Sequence, residues 1–378
     1  MLKYIAKRLA YAVMVLLGVS LIMYFLVRLM PVDFIQNKID EMNQGGTVVQ
    51  LDTQIAMYDT YGLEYPDELI KDKVADLREK GENEEADKWE AMLSDSGSQF
   101  INKASKIFKG YFNWLSNLVR LDLGVSFKYG IPVEEKIAMH MGTSFAVAFI
   151  ATIFEFMFAI PLGITAATHQ YSLRDYVVTV LVMIGISLPS FFFGNILKNV
   201  LALEPREFFR NIGLDIDWLY ASGLVDATKG KMSFFESLWD YFLHAFIPIL
   251  TIIILSIGGR MRMTRTNMLE VMNSDYIRTA RAKGLKERVV IYKHAFRNTL
   301  IPLVTSMAGL LPGLFSGAII TEQVFDLPGI GNYALQAMNV GDIPFIMGYN
   351  MFLALLSVLG VILADLAYGL VDPRVKLQ

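Results

Sequence analysis

The sequence contains no cysteine and only four histidines. The absence of cysteine excludes disulfide bonds, thiolate metal ligands and thiol nucleophiles. None of the histidines stands in a metal-binding pattern such as HExxH, in which two imidazoles share one face of a helix. The four are His140, His169, His244 and His294. We therefore expect neither a metal site nor thiol chemistry in this chain.

Motifs of enzymes that hydrolyse nucleotides, esters or peptides are missing from the sequence as well. It has no GxxxxGKS/T phosphate-binding loop, no Gly-x-Ser-x-Gly turn and no pair of carboxylates on one membrane helix. A net charge of only −3 gives the chain no bulk attraction for nucleic acid. These absences predict no catalytic residue, and they disfavour an intramembrane enzyme.

Hydrophobic residues make up 54% of the 378 residues, which is typical of an integral membrane protein. The first apolar segment is either a secretory signal peptide or a spanning helix. Its length of about 20 residues and the lack of a small-x-small cleavage site favour the helix. The sequence therefore predicts an all-α polytopic membrane protein with six transmembrane helices. The predicted spans are 9–30, 143–167, 176–201, 244–264, 299–321 and 347–370.

A long polar region separates the first two predicted spans, and we expect it to fold outside the membrane. Helix-forming and acidic residues fill an insertion at about 67–105, with a break at Gly81. The amphipathic stretch from Phe100 to Leu123 is predicted to lie as a helix on this domain or at the membrane interface. The predicted domains are an N-terminal end with the first helix (1–30), an extracytoplasmic domain (31–140), a membrane core (141–371) and a tail (372–378).

Basic residues are concentrated in alternate connections, which predicts an orientation. Short cytoplasmic connections retain Lys and Arg. Between Arg260 and Arg297 there are ten basic residues and three acidic ones. We therefore expect both termini in the cytoplasm. The predicted cytoplasmic segments are 1–8, 168–175, 260–298 and 371–378.

The most cationic stretch, Ser274 to Arg297, is either a plain cytoplasmic connection or a short docking helix followed by a turn. If Ser274 or Asp275 caps the helix, four small or apolar positions form a stripe about 100° wide. Gly284 stands where a left-handed residue ends a helix, and Leu285 is expected to fold back onto the stripe. A second helix is predicted to begin near 286. The stripe consists of Tyr276, Ile277, Ala280 and Gly284.

Two carboxylates lie within predicted spans, where ionisable groups are costly and indicate function by default. Glu155 either bonds a neighbouring helix or contacts a transported substrate, and the sequence does not separate these alternatives. For Asp365, near the end of the last span, pairing with a basic loop residue is the favoured interpretation. Two isolated carboxylates do not make a proton relay.

Several motifs resemble those of membrane permeases in bacterial ABC importers, in the oligopeptide, dipeptide and nickel branch. Asp275–Leu285, read as DYIRTARAKGL, is similar to the coupling loop of that family, with Arg278-Thr279-Ala280 and Gly284 in the places of its Glu-Ala-Ala and Gly. Two departures are the charged insertion and Met141-Gly142, where a proline-containing entry to the second span is expected. Further matching segments are LDLGVS at 121–126, IPLG at 160–163, SLPSF at 187–191, TEQVFDLPGIG at 321–331 and Asp-Pro-Arg at 372–374.

This resemblance implies the six-helix fold of a type I importer permease, specifically the first, or B-type, permease subunit. It implies contact with an ATPase through the loop 265–298 and an outer gate or scoop in the loop after the fifth span. The gate residues would be Glu322, Pro328, Gly329 and Gly331. The ATPase-coupling residues would be Asp275, Tyr276, Ile277, Arg278, Ala280, Lys283, Gly284 and Leu285.

The resemblance also implies a location in the cytoplasmic membrane of a bacterium, a set of partners and a mechanism of alternating access. The partners would be a homologous second permease, two cytoplasmic ATPase subunits that bind ATP and magnesium, an extracytoplasmic substrate-binding protein and membrane lipid. The chain itself would hold no cofactor. Its substrate would be a peptide, with nickel or another small solute as the alternative. An ion-coupled carrier or a channel that works alone is the competing class.

Overall fold

The computed structural model of the chain describes residues 2–28, 39, 49–61, 65–94, 99–214, 218–226, 229–230 and 232–371. Most of these residues are helical, and the only β pairing among them is an isolated bridge between Val125 and Pro132. The predicted all-α class is confirmed. The chain forms two compact units. The larger contains Met1–Ala12, Ile137–Gln336 and Phe352–Gln378, and the smaller contains Val13–Lys136 and Ala337–Met351.

The helices are numbered here in chain order, as far as the structure describes them. The first ten are α1 (Leu2–Arg28), α2 (Leu51–Tyr61), α3 (Asp67–Glu79), α4 (Asn83–Ser94), α5 (Gln99–Val119), α6 (Val133–Thr168), α7 (Leu173–Ser187), α8 (Ser190–Lys198), α9 (Glu204–Asn211) and α10 (Phe234–Met272). The others are α11 (Asp275–Ala282), α12 (Glu287–Val289), α13 (Arg297–Ser306), α14 (Leu310–Ser316), α15 (Ile319–Val324), α16 (Ile330–Asn339) and α17 (Ile343–Val371).

Aromatic side chains form the core of the smaller unit. Tyr24 of α1 packs with ring centroids 5.4 Å from Tyr111 and 5.9 Å from Trp114, both on α5. The hydroxyls of Ser20 and Tyr111 are hydrogen-bonded at 2.9 Å. The amphipathic helix predicted at 100–123 is therefore present as α5, with these two aromatic residues buried. The predicted break in the insertion is also present, because Gly81 has a φ of 81° between α3 and α4.

The LDLGVS segment is a tight loop that Asp342 organises within the smaller unit. The Asp342 carboxylate is 1% exposed and accepts hydrogen bonds from the Ser126 hydroxyl and from the backbone amides of Phe127 and Lys128. It also accepts from the amide of Phe345 at 3.2 Å, in the first turn of α17. A carboxylate in this position caps a helix, because it accepts hydrogen bonds from amides that have no partner within the helix. One buried side chain thus fixes both the loop and the start of the last span.

Among the described residues, five helical segments are long and apolar enough to span a membrane, and a bent pair makes six if it counts as one span. The span predicted over 176–201 is present as this bent pair. α7 ends at Ser187, and the helices on either side of Pro189 meet at 101°. Proline favours an extended conformation in the residue before it, and this residue, Leu188, has a ψ of 133°.

Two other predicted boundaries also shift. α6 begins at Val133, so the end of the region predicted as extracytoplasmic domain, up to 140, belongs to the second spanning helix. α10 continues to Met272, so that Arg265 lies in a helix rather than in the loop predicted at 265–298. Pro161 and Pro248 lie inside continuous helices.

The fifth span, Glu287–Val324, is irregular throughout. A π-helical segment occupies Val290–Phe296, and a short 3-10 turn at Met307–Gly309 separates α13 from α14. Gly317 then interrupts the chain between α14 and α15 with a φ of 73°. The predicted span at 299–321 therefore exists as several short helices. Such irregular segments commonly mark hinges.

Glycines allow α6, α7 and α10 to approach one another closely. A Cβ added to Gly163 of α6 would come within 2.8 Å of the Met261 carbonyl oxygen. One added to Gly185 of α7 would lie 2.8 Å from the carbonyl oxygen of Ile254. Small residues permit such backbone contact between membrane helices, where van der Waals packing drives association. Within the larger unit, α6 and α7 therefore each reach the backbone of α10 at one glycine.

Candidate functional site

The basic stretch after α10 contains α11, which has no side-chain cap at its N-terminus and a left-handed glycine after its C-terminus. Ser274 is the N-cap residue, but its hydroxyl donates to the carbonyl of Val271 at 2.6 Å and accepts no helix amide. At the other end, Lys283 is the C-cap and Gly284 follows with a φ of 74°. The predicted left-handed stop at Gly284 is confirmed. The next helix starts at Glu287, which also agrees with the prediction.

The predicted contact stripe of α11 is divided by the fold. Ile277 is 0% exposed and Ala280 is 6% exposed, and both belong to an apolar cluster formed by the chain itself. The prediction that these two residues offer a free docking surface is wrong, because helical spacing shows which residues share a face but not what covers it. The other members of the cluster are Ile164, Ala167, Met268, Val290 and Ala295.

The exposed side of α11 and the turn after it are cationic, with one aromatic residue. Tyr276 is 47% exposed, and its hydroxyl accepts a hydrogen bond from the side-chain amide of Asn298 at 3.1 Å. Leu285 is 40% exposed, so its predicted return onto the stripe is wrong. The exposed charged residues of this surface are Asp275, Arg278, Arg281, Lys283, Lys286, Glu287 and Arg288.

An ion pair spans the turn at Gly284. The guanidinium of Arg281 donates to the carboxylate of Glu287 at 2.7 Å, which connects the end of α11 to α12. The hydrogen bond from Arg281 to Glu287 raises the pKa of Arg281 above its ordinary value. Both side chains are exposed, so the pair orients the turn and contributes little to stability. We call α11 and residues 283–288 the basic hairpin.

The TEQVFDLPGIG segment folds around the buried carboxylate of Glu322. Its Oε1 accepts from the Ser144 hydroxyl at 2.6 Å, and its Oε2 accepts from the Asn332 amide at 2.9 Å. The Ser144 oxygen also accepts from the Ile330 amide at 2.8 Å. The side chain of Ser144 on α6 therefore holds both the carboxylate and the loop that surrounds it.

Three glycines leave the space that the Glu322 carboxylate occupies. A Cβ added at Gly317, Gly329 or Gly331 would come closer than 3.0 Å to a carboxyl oxygen of Glu322. The carbonyl of Pro328 lies 3.1 Å from Nδ1 of His140 on α6. We call Glu322, Ser144 and the three glycines the Glu322 cradle.

Three of the predicted gate residues are buried in the Glu322 cradle and do not reach the surface. Glu322 is 1% exposed, and Gly329 and Gly331 are buried, so these three support the loop from inside. The residues of the loop that reach the surface include Gln323 and Asp326, and Asp326 has a φ of 50°. Any contact that this loop makes with another molecule passes through such exposed residues.

The two carboxylates predicted within spans, Glu155 and Asp365, are both paired. Glu155 accepts from Nε of Arg260 at 3.1 Å, and another guanidinium nitrogen of Arg260 donates to the Ser306 hydroxyl at 2.9 Å. The structure thus favours the interpretation in which Glu155 bonds a neighbouring helix. Asp365 pairs with Arg8 at 3.0 Å, which is a basic partner on α1 rather than on a loop.

The sequence did not identify several residues of these sites, among them Ser144, Arg260, Gly317, Asn332 and Asp342. The basic count placed Arg260 in a cytoplasmic segment, and nothing near Ser144 or Asp342 indicates a partner about 180 or more residues away. Only Arg260 carried a signal in the sequence: a charged residue inside an apolar segment indicates a buried pairing or a functional role.

The helices and the basic hairpin define a multi-pass membrane protein with a short cationic helix between two spanning segments. Residues 159–377, more than half of the chain, match the family described as binding-protein-dependent transport system inner membrane component. The chain belongs to this family of ABC importer permeases, as its motifs predict, and it is an inner-membrane protein.

Individual relatives support the same family. The chain is 36% identical over 267 residues to the oligopeptide transport system permease protein AppB of Bacillus subtilis, covering 70% of this chain and 79% of the relative. It is 32% identical over 281 residues to the dipeptide transport system permease protein DppB of Escherichia coli, covering 71% and 81%. A DppB protein of Alkalihalophilus pseudofirmus is 29% identical over 390 residues, from end to end of both chains.

Proposed function

We propose that this chain forms one half of the translocation pathway of an ATP-driven importer for peptides. The family match supports the role of a non-catalytic transport subunit, and the names of the relatives support peptides as the substrate. The other half would be a homologous second permease. Two cytoplasmic ABC ATPase subunits would bind ATP and magnesium, and an extracytoplasmic binding protein would deliver the peptide.

The orientation of the chain is part of the proposal. The basic hairpin lies in the cytoplasm with both termini, because cationic connections are retained on that side. The polar region between α1 and α6, including the insertion α3–α4, then lies outside the cell. In that position the insertion is available for contact with the binding protein or for shielding the mouth of the pathway.

The basic hairpin carries the proposal. Its outer side offers Tyr276 and several cations to a partner, while Ile277 and Ala280 anchor the same helix to α6 and α10. A partner that moves α11 must therefore also move the cytoplasmic ends of the spans that contact it. ATP binding and hydrolysis by the ATPases would use this connection to alternate the pathway between its outward-open and inward-open states.

The Glu322 cradle fits an outer gate. The carboxylate holds the loop 326–331 to α6 through Ser144, so the loop and the second span move together. We propose that the loop closes the outer end of the pathway. In this arrangement Glu322, Gly329 and Gly331 fix its shape, and exposed residues such as Asp326 face the substrate or the binding protein.

The test compares two glycines that have the same local geometry. Gly284 and Gly81 have φ values of 74° and 81°, and an added Cβ has nothing within 4 Å at either position. We expect Gly284→Glu to abolish uptake of labelled dialanine, trialanine and pentaalanine in whole cells, because it places a carboxylate and a strained backbone on the proposed ATPase contact. Gly81→Glu introduces the same change in the insertion and is expected to leave uptake near the wild-type level.

The amount of each variant in the membrane is measured in the same cells. Normal amounts of Gly284→Glu protein, without uptake and without ATPase subunits after purification, support the proposed contact. Wild-type uptake by Gly284→Glu would refute it. A wild-type protein that purifies without any ATPase would support a carrier or channel that works alone.

A further inference from the structure

An ion pair and a further hydrogen bond from the same arginine connect three helical segments of the larger unit. Arg260 of α10 donates from Nε to Glu155 of α6 at 3.1 Å and from a second nitrogen to Ser306, at the end of α13, at 2.9 Å. Charged groups inside a membrane are costly, so they persist where they are paired and often where they serve a function. Building on the proposed function, we propose that Arg260 is a positioning residue for transport. Its side chain transmits movement of the basic hairpin to the irregular fifth span.

α10 is well suited to carry movement from the basic hairpin. It is a continuous helix of 39 residues, and α11 begins three residues after its end. Near that end, Met268 packs in the cluster that holds Ile277 and Ala280. A displacement of α11 therefore acts directly on α10, which has no break at which the displacement could be absorbed.

The close packing of α10 against α6 and α7 makes these helices move as one block. The glycine contacts at Gly163 and Gly185 bring the helices to backbone distance. Arg265 adds a two-pronged ion pair to Asp175 at the start of α7, with distances of 2.9 and 2.8 Å. Two parallel hydrogen bonds from one guanidinium are both strong and directional.

The fifth span is the element that can change shape relative to this block. Its π-helical segment, its 3-10 turn and its break at Gly317 divide it into short pieces. Ser306 is the last residue of α13, directly before the 3-10 turn. Its hydroxyl donates a hydrogen bond to the carbonyl of Leu303 at 2.6 Å and accepts one from Arg260. The hydroxyl is therefore satisfied both as a donor and as an acceptor. Arg260 thus holds the span at a potential hinge.

Arginine suits this position because its planar group reaches two acceptors on different helices at once. A lysine would keep the charge beside Glu155 but offers a single ammonium group in place of the fork. A pair that served only stability would affect ATP hydrolysis and peptide import in the same proportion. A positioning residue, by contrast, sets how much peptide is imported for each ATP hydrolysed.

The experiment uses the importer purified with its partner subunits through a tag on this chain and reconstituted into liposomes with the binding protein. The variants are Ser306→Ala, Arg260→Lys, Glu155→Gln, and the exchange Glu155→Arg with Arg260→Glu. The controls are Thr305→Ala, which removes an exposed hydroxyl bound to the carbonyl of Ile301, and Arg262→Gln, which removes an exposed charge on α10. Import of labelled dialanine, trialanine and pentaalanine is measured together with ATP hydrolysis and the melting temperature.

We expect Ser306→Ala and Arg260→Lys to lower the peptide imported per ATP by about tenfold, within the range of coupling between sites in proteins. Their melting temperatures should stay close to wild type, and both controls should keep the wild-type ratio. The charge exchange should recover part of the ratio that Glu155→Gln loses. An unchanged ratio in Ser306→Ala and Arg260→Lys would overturn the inference, as would a proportional loss of hydrolysis and import. A wild-type complex that imports none of the three peptides would overturn the proposed function, and the inference with it.

Discussion

Glycine meets different requirements in the basic hairpin and in the Glu322 cradle. At Gly284 the backbone has a φ of 74°, and an added Cβ would find nothing within 4 Å. At Gly329 no left-handed backbone is present, but an added Cβ would overlap all three carboxyl atoms of Glu322. The first position needs the conformational freedom of glycine, and the second needs its small size. The surface that we assign to a moving partner is therefore open, whereas the loop that we assign to a gate is tightly packed.

Gly317 combines both requirements, and its substitution gives the largest expected effect. Its φ is 73°, and an added Cβ would overlap Oε1 of Glu322 and come within 3.0 Å of the Ser144 hydroxyl. Left-handed strain costs about 1–2 kcal/mol for an L-residue, and overpacking costs about 1–3 kcal/mol. We expect Gly317→Ala to lower the free energy of unfolding by about 2–5 kcal/mol, measured by denaturant titration in mixed micelles, and to reduce uptake strongly.

Gly329→Ala separates the two contributions at the cradle. It introduces the overlap without the left-handed strain, so its loss should be smaller, at about 1–3 kcal/mol. Equal losses at positions 317 and 329 would mean that the backbone conformation at 317 relaxes without cost. A neutral Gly329→Ala protein would show that the carboxylate of Glu322 is not confined as described.

Gly284→Ala carries the strain without the overlap and should have an intermediate effect. We expect a loss of about 1–2 kcal/mol in the stability of the turn, because the new side chain meets open space. Gly81→Ala has the same geometry and should cost a similar amount. Uptake distinguishes them, since only position 284 lies on the proposed ATPase contact. If both variants lower uptake equally, strain alone explains the effect and the basic hairpin has no special role.

Local features of the molecule could be predicted from the sequence, and long-range pairings could not. The breaks at Gly81 and Gly284 follow from the conformational freedom of one residue, and α5 follows from an amphipathic period. The bond from Ser126 to Asp342 joins residues 216 positions apart, and the pair of Glu155 and Arg260 joins residues 105 apart. The sequence around either residue does not indicate which residue is its partner.

The error at Ile277 and Ala280 has a similar origin. The helical spacing correctly places them on one face of α11. Their burial depends on contacts with α6 and α10, which the spacing within α11 does not indicate. The motif resemblance correctly identified the family, and it also singled out Glu322, Gly329 and Gly331, but not Gly317. It did not reveal that these residues act from inside the loop, because a motif shows which residues recur and not which atoms they contact.

The smallest expected effect comes from removing one charge beside Gly284, and it contrasts the open hairpin with the buried cradle. Glu287 bonds Arg281 across the turn, with both side chains exposed, so Glu287→Gln should cost only about 0.2–1 kcal/mol and less at high salt. Glu322→Gln makes the same replacement where the carboxylate accepts bonds from Ser144 and Asn332, and it should cost about 1–3 kcal/mol because a donor amide replaces one acceptor oxygen. Denaturant titrations at low and high salt measure both. A salt-dependent loss at Glu322 that matches the loss at Glu287 would contradict the enclosed carboxylate, because salt screens exposed pairs far more than buried ones.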